Sequence, residues 1–189
     1  MNILEVNDLE VKINNFTLNI EELSVSKGEI FYLKGKNGVG KTTFLKTILG
    51  FMVFKGFLKC YTKDISGFLG NDFLIPYLYP NEYFRFLNSV SKNKNFAENY
   101  ENFSNLLNFN YKDRKYIRDL SEGNRKKVGI ISILSAQSDI MIFDEPFENL
   151  DEKSSESLCD LFRKKKDHCT IIYTSHQIKD IFDDSYEIK

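Results

Sequence analysis

The chain has 189 residues, 42% of them apolar, with only 3 Pro and 10 Gly, which excludes collagen-like and disordered classes and fits a single folded domain over 1–189. Lys plus Arg number 26 against 27 Asp plus Glu, so a net charge of −1 gives no global field toward nucleic acid or anionic lipid, and no nucleic-acid partner is expected. Cys60, Cys159 and Cys169 are too few and too scattered for a disulfide framework or a Cys-x-x-Cys metal knuckle, which points to a reducing compartment.

Met1 to Glu10 carries Glu5, Asp8 and Glu10 before any lysine and lacks the layout of a secretory signal, so a cytoplasmic protein is expected. Val128–Ala136, the longest weakly polar stretch, falls well short of the roughly 20 residues that cross a bilayer. Any membrane role then needs another chain to do the crossing.

In chain order, Phe16–Ile20 reads as a strand, and Glu29–Lys34 is an apolar run ending in a glycine-rich turn. A helix follows in which Phe44, Leu45 and Ile48 share a face and Gly50 suits the C-terminal cap. Gly56–Tyr61 and Ser66–Leu69 read as short strands of a small antiparallel addition. Pro80 opens a helical insertion of about two helices, within a helical subdomain at about 73–122; Tyr83, Phe84 and Leu87 form one apolar face, and Phe103, Leu106 and Leu107 another. Helix Gly123–Gln137, strand Ile140–Phe143, amphipathic helix Asp151–Asp167 and strand Thr170–Thr174 then alternate. The alternation predicts an α/β fold with a mainly parallel sheet covered by helices.

Gly35-Lys36-Asn37-Gly38-Val39-Gly40-Lys41-Thr42 fills the pattern G-x-x-x-x-G-K-[ST] between a strand and a helix, the context a phosphate loop requires. Gly35, Asn37, Gly38 and Gly40 belong to the cradle, where backbone N–H groups and the helix N-terminus meet phosphate oxygens. Lys41 reaches the β and γ phosphates, and Thr42, with Thr43 beside it, opens the helix and offers its hydroxyl to Mg²⁺. Strand Ile140–Phe143 ends in Asp144-Glu145, the arrangement that sets carboxylates beside such a loop: Asp144 for the metal and its waters, Glu145 for the water attacking the γ phosphate. A nucleotide and Mg²⁺ are the expected ligands.

Leu120-Ser121-Glu122-Gly123-Asn124 resembles the LSGGQ signature of ATP-binding-cassette (ABC) transporters, and it lies between the phosphate loop and Asp144-Glu145-Pro146, as in that family. Asn149-Leu150-Asp151 and His176 complete the family's order, so the resemblance spans nearly the whole chain. It implies the ABC ATPase fold and a head-to-tail dimer, with each ATP held by one subunit's phosphate loop and the other's Ser121 and Gly123. His176 would contact the γ phosphate and help position Glu145, and Asp151 would belong to the nucleotide site. The partners implied are a membrane permease subunit and a second ATPase, identical or paralogous, which puts the chain on the inner face of the cell membrane through its partner.

Several positions depart from the pattern. Glu122 and Asn124 replace Gly and Gln of the signature, and Glu148 stands where a small residue is common. The loop after Ser66–Leu69 reads Gly70-Asn71-Asp72 instead of carrying a Gln, which makes Asn71 the candidate there for nucleotide and metal contact. Phe16 is the nearest aromatic for stacking on adenine. Arg125-Lys126-Lys127 and Arg163–Lys166 read as solvated basic faces, and aromatic-rich Phe73–Phe86 as core or as a groove for a permease helix. The missing Gln and the end of the chain at Lys189 favour an exporter of lipid, peptide or antibiotic. The alternatives are a soluble ABC-type ATPase in cofactor assembly or DNA/RNA metabolism, and a nucleotide or sugar kinase, which leaves LSEGN unexplained.

Overall fold

The structure, a computed structural model, describes residues 1–176 and 180–189. Its first element is a hairpin, β1 (Asn2–Ile13) and β2 (Phe16–Ser26), whose two-residue turn holds Asn14 at φ +51°, a conformation asparagine tolerates. Leu4 and Val6 point inward, and so do Leu9 and Val11; the alternation slips by one residue at Asp8 (φ +48°), where the register of β1 also shifts. β4 (Lys55–Cys60) adds to β1 antiparallel, closing a three-stranded sheet in the order β2-β1-β4.

The second sheet has five strands, all parallel, in the order β5-β6-β7-β3-β8: β3 (Ile30–Lys34), β5 (Ile65–Phe68), β6 (Ile140–Phe143), β7 (Thr170–Thr174) and β8 (Asp184–Glu187). Side chains alternate across it with period two. Phe31, Leu33, Ile140, Ile142 and Ile172 join a core shared with the antiparallel sheet and with Phe44, Leu45 and Ile48 of α1 (Lys41–Ile48). Ile30, Tyr32, Met141, Phe143, Ile171 and Tyr173 face the other way, toward α2 (Pro80–Val90), α3 (Phe96–Leu106), α4 (Glu122–Ala136) and α5 (Glu152–Lys165). Because the strands are parallel, the loops after β3, β5, β6 and β7 emerge at one edge, where ligands of such sheets bind.

Helix ends follow local chemistry. Gly50 (φ +80°) closes α1: its N–H reaches the Thr47 carbonyl and that of Phe51 the Lys46 carbonyl, a Schellman pair. Pro80 is the first residue of α2, while Ser121 caps α4 and Asp151 caps α5.

Three readings are corrected, and two strands had none. The strand read at 66–69 is not antiparallel to the one before it: β4 pairs with β1, whereas β5 pairs parallel with β6 in the main sheet. Leu106 is 51% exposed, so the inner face of α3 comprises Phe96, Tyr100 and Phe103. Lys126 and Lys127 are not a solvated face but are buried, because acidic partners in the loop after β6 accept their charges. The hairpin partner β1 and the edge strand β8 were not read from the sequence at all.

Candidate functional site

A cleft of about 270 Å³ opens at the carboxyl edge of the parallel sheet, lined by Phe16, Lys36, Asn37, Gly38, Gly40, Lys41, Thr42, Thr43, Asp144, Glu145 and His176. Residues 35–40 curl from β3 into α1. Gly40, at φ +109°, precedes the helix, and a Cβ there would stand 3.0 Å from the Phe16 ring, so a side chain would both strain the backbone and push β2 away. The Lys41 ammonium, with the residue only 7% exposed, donates to the carbonyls of Gly35 at 2.7 Å and Lys36 at 3.2 Å. It lies folded over the loop, with its charge supported by backbone oxygens.

Two strands of the main sheet hold the acids. The Thr42 hydroxyl donates to one Asp144 carboxylate oxygen at 2.5 Å, and the Thr174 hydroxyl donates to the other at 2.6 Å. The pair Thr42 and Asp144 is a set of hard oxygen donors of the kind Mg²⁺ takes when it keeps waters and substrate phosphates as its remaining ligands, so the residues fit that ion. Among the described residues no cluster of three His, Cys, Asp or Glu offers a separate metal cage.

Glu145 adopts φ +50°, which costs a non-glycine residue about 1–3 kcal/mol and persists only where the surroundings enforce it. Its N–H donates to the Thr174 hydroxyl at 2.9 Å, and its carbonyl accepts from Lys126 Nζ at 2.8 Å. One carboxylate oxygen accepts the His176 backbone N–H at 2.9 Å, and the other lies 3.2 Å from His176 Nε2. The Tyr32 hydroxyl donates to the Ser175 carbonyl at 2.7 Å, fixing the chain just ahead of His176. Burial, and then the Glu145 carboxylate, raise the Tyr32 phenol above its ordinary pKa and keep it a donor. The arrangement can hold a polyanion against Lys41 and present a carboxylate and an imidazole to its far end.

The remaining predicted residues lie elsewhere. Ser121 and Gly123 start α4, where the Ser121 hydroxyl accepts the Asn124 N–H at 3.3 Å; neither lines this cleft. Asp151 caps α5 and pairs with Lys127 at 2.7 Å. That ammonium, then the Ser154 hydroxyl and N–H, hold the Asp151 carboxyl well below the usual carboxylate range. Asn71 sits in a short 3-10 turn (Asn71–Phe73); it is not among the described residues lining the cleft, and its Oδ1 is buried with no hydrogen-bond partner. Thr174 and Tyr32 carry no role in the sequence reading, and Lys126 appears there only as part of a basic face. A polar residue within an apolar strand was the available signal for the first two.

The family profile described as "ABC transporter" matches residues 18–148, more than half of the chain. The chain belongs to the ABC transporter family. An uncharacterized ABC transporter ATP-binding protein of Methanocaldococcus jannaschii is 32% identical over 188 residues, covering 91% of this cassette and 70% of that protein. A zinc import ATP-binding protein of Ehrlichia chaffeensis is 28% identical over 195 residues, covering 93% of this cassette and 80% of that protein. A dimeric ATP-binding cassette in a post-hydrolysis state with ADP and Pi shares the fold at a TM-score of 0.76 and 18% identity, over 92% of this cassette and 88% of that chain. The cassette is thus an ATP-hydrolysing, ATP-binding subunit of an ABC transporter. No helix among the described residues is long and apolar enough to cross a membrane. The names of the relatives include an importer, so they lend the exporter expectation no support.

Proposed function

We propose that the cassette binds MgATP at the cleft after β3 and hydrolyses it with Glu145 as the group that accepts the proton of the attacking water. The observation that carries this reading is the convergence of Lys41, Thr42, Asp144, Glu145 and His176, drawn from three strand ends, on one cleft. Lys41 exchanges the Gly35 and Lys36 carbonyls for β and γ phosphate oxygens, so the anion meets a charge already in place. Thr42 and Asp144 would hold Mg²⁺, which when bound offsets charge on the phosphate oxygens. Water attacks the γ phosphorus in line, the bond to the bridging oxygen breaks, ADP leaves, and the water proton passes to the Glu145 carboxylate. His176, beside that carboxylate, is placed to steady it and the departing phosphate. The Phe16 ring at the cleft rim is the aromatic available to the adenine.

Ser121 and Gly123 lie outside their own cleft, which supports a second ATPase subunit whose nucleotide they would complete, and family membership supports a membrane permease as the partner. The direction we infer, export of a lipid, peptide or antibiotic, rests on the Gly70-Asn71-Asp72 segment; import of a substrate into vesicles carrying the whole transporter would overturn it. For the hydrolytic reading, Glu145→Gln should retain MgATP binding, lose nearly all ADP production and trap a dimer on size exclusion. Near-normal turnover by that variant removes Glu145 from its role. Co-purification of Glu145→Gln with a polytopic membrane protein supports the transporter partner, and a soluble partner alone favours the cytosolic ATPase.

A further inference from the structure

Glu145 is anchored from two directions, through its N–H, its carbonyl and one carboxylate oxygen. Thr174 and His176, at and just beyond the end of β7, hold its N–H and its carboxylate. Its carbonyl instead accepts from Lys126 Nζ at 2.8 Å, from outside the sheet, as well as from the Glu148 N–H at 3.3 Å. Lys126 lies in α4, the helix that Ser121 caps, and is 5% exposed, a burial that lysine rarely accepts without a partner. Its other contact is a Glu148 carboxylate oxygen at 3.2 Å, on a side chain that is 58% exposed. Lys126 lies outside the residues that line the cleft, so its link to Glu145 runs through the backbone carbonyl alone.

We propose that Lys126 is a positioning residue for hydrolysis. It holds the Glu145 carbonyl from α4 and, with Glu148, fixes Glu145 in the left-handed conformation that aims its carboxylate at the cleft. The carbonyl bond is the dominant contact because it is short, charge-assisted and shielded, whereas the Glu148 pair is open to solvent and screened. The same ammonium ties the segment bearing Ser121 and Gly123 to the segment bearing Glu145. The proposal rests on Glu145 being the water-activating group.

The test uses the full chain with Lys126→Met, Lys126→Gln and Glu148→Gln, and with Lys126→Met repeated on a Glu145→Gln background. ATP hydrolysis is followed across MgATP concentrations, and melting is recorded for each variant. Lys126→Met should lower kcat by about 10- to 100-fold with KM within about twofold, because an angstrom-scale misplacement of a reacting group costs that much. Lys126→Gln keeps a donor but no charge and should lose only about 3- to 10-fold, with Glu148→Gln milder still, at about threefold or less. On the Glu145→Gln background Lys126→Met should leave the residual rate unchanged while shifting the melting temperature as it does in the parent chain, since a residue acting only through Glu145 has nothing left to position. Unchanged kcat in Lys126→Met, or an equal further loss on the Glu145→Gln background, overturns the proposal. If Lys126→Met fails to fold, wild-type kcat in Lys126→Gln does the same. Near-normal hydrolysis by Glu145→Gln itself would instead strike the assignment of Glu145, which separates the two failures.

Discussion

Replacing Gly123 with alanine tests how tightly α4 is set against the loop after β6. A Cβ on Gly123 would stand 2.3 Å from the Asn149 carbonyl oxygen, where real Cβ contacts essentially never come closer than 3.0 Å. Helix propensity alone favours alanine by about 0.8–1 kcal/mol. Against that gain, the obstacle is backbone in a loop held on one side by Lys126 and on the other by Lys127, so it cannot swing aside as a side-chain tip would. Forced overpacking of this kind costs about 1–3 kcal/mol, which leaves a net loss of about 0–2 kcal/mol. For a chain of this length that lowers the melting temperature by up to about 8 °C, measured by calorimetry without nucleotide so that no ligand contact contributes. Hydrolysis should fall further, by about 10- to 100-fold, because the helix start has to move by most of an angstrom. A variant that melts at or above the parent temperature and hydrolyses normally would refute the close seating of α4 on Asn149.

Lys41→Ala removes two charge-assisted bonds to loop carbonyls and should destabilise the nucleotide-free chain by about 1.5–3 kcal/mol. It should also abolish the rise in melting temperature that saturating MgATP gives the parent; a rise of parental size would reject the site. Asp151→Asn keeps a cap for α5 but loses the charge that Lys127 holds down. A carboxyl depressed on folding contributes stability above its unfolded pKa, near 3.9, and loses that contribution as the pH falls toward its native value. The variant should therefore melt lower at pH 7, by about 1 kcal/mol once solvent screening of the half-exposed carboxylate is allowed for, and should converge with the parent in acid. A gap independent of pH would show that the charge is not what matters.

How much of this was legible in the sequence depended on how local the cause was. Strand Ile140–Phe143 and strand Thr170–Thr174 were read with the bounds they have, because each is a short apolar or β-branched run closed by polar residues. The phosphate loop and the Gly50 cap depend on neighbours a few residues away and were equally readable. β1 escaped because the slip at Asp8 breaks its alternation, so neither half shows a long period-two pattern. β8 is Asp-Ser-Tyr-Glu, which carries no apolar signature and is a strand because the edge of β3 accepts it. Lys126 and Lys127 looked like a solvated face since spacing records which side of a helix a residue occupies, not whether carboxylates from a later loop wait there. Thr174 reads as an ordinary β-branched strand residue, and its hydroxyl matters only because β6 and β7 end side by side.

The register of β6 also dictates where the gene can change length. Its four residues are each 0–1% exposed; Ile140 and Ile142 pack on one face, Met141 and Phe143 on the other. Deleting one of them, with the chain before it held in place, moves every later residue up one position and draws Asp144 into the slot where Phe143 meets Phe162 at 5.0 Å, setting a carboxylate among aromatic rings. Residues 91–95, between α2 and α3, lie outside both sheets and outside the cleft. Insertions and deletions should be admitted there and shut out of the strand that ends in Asp144.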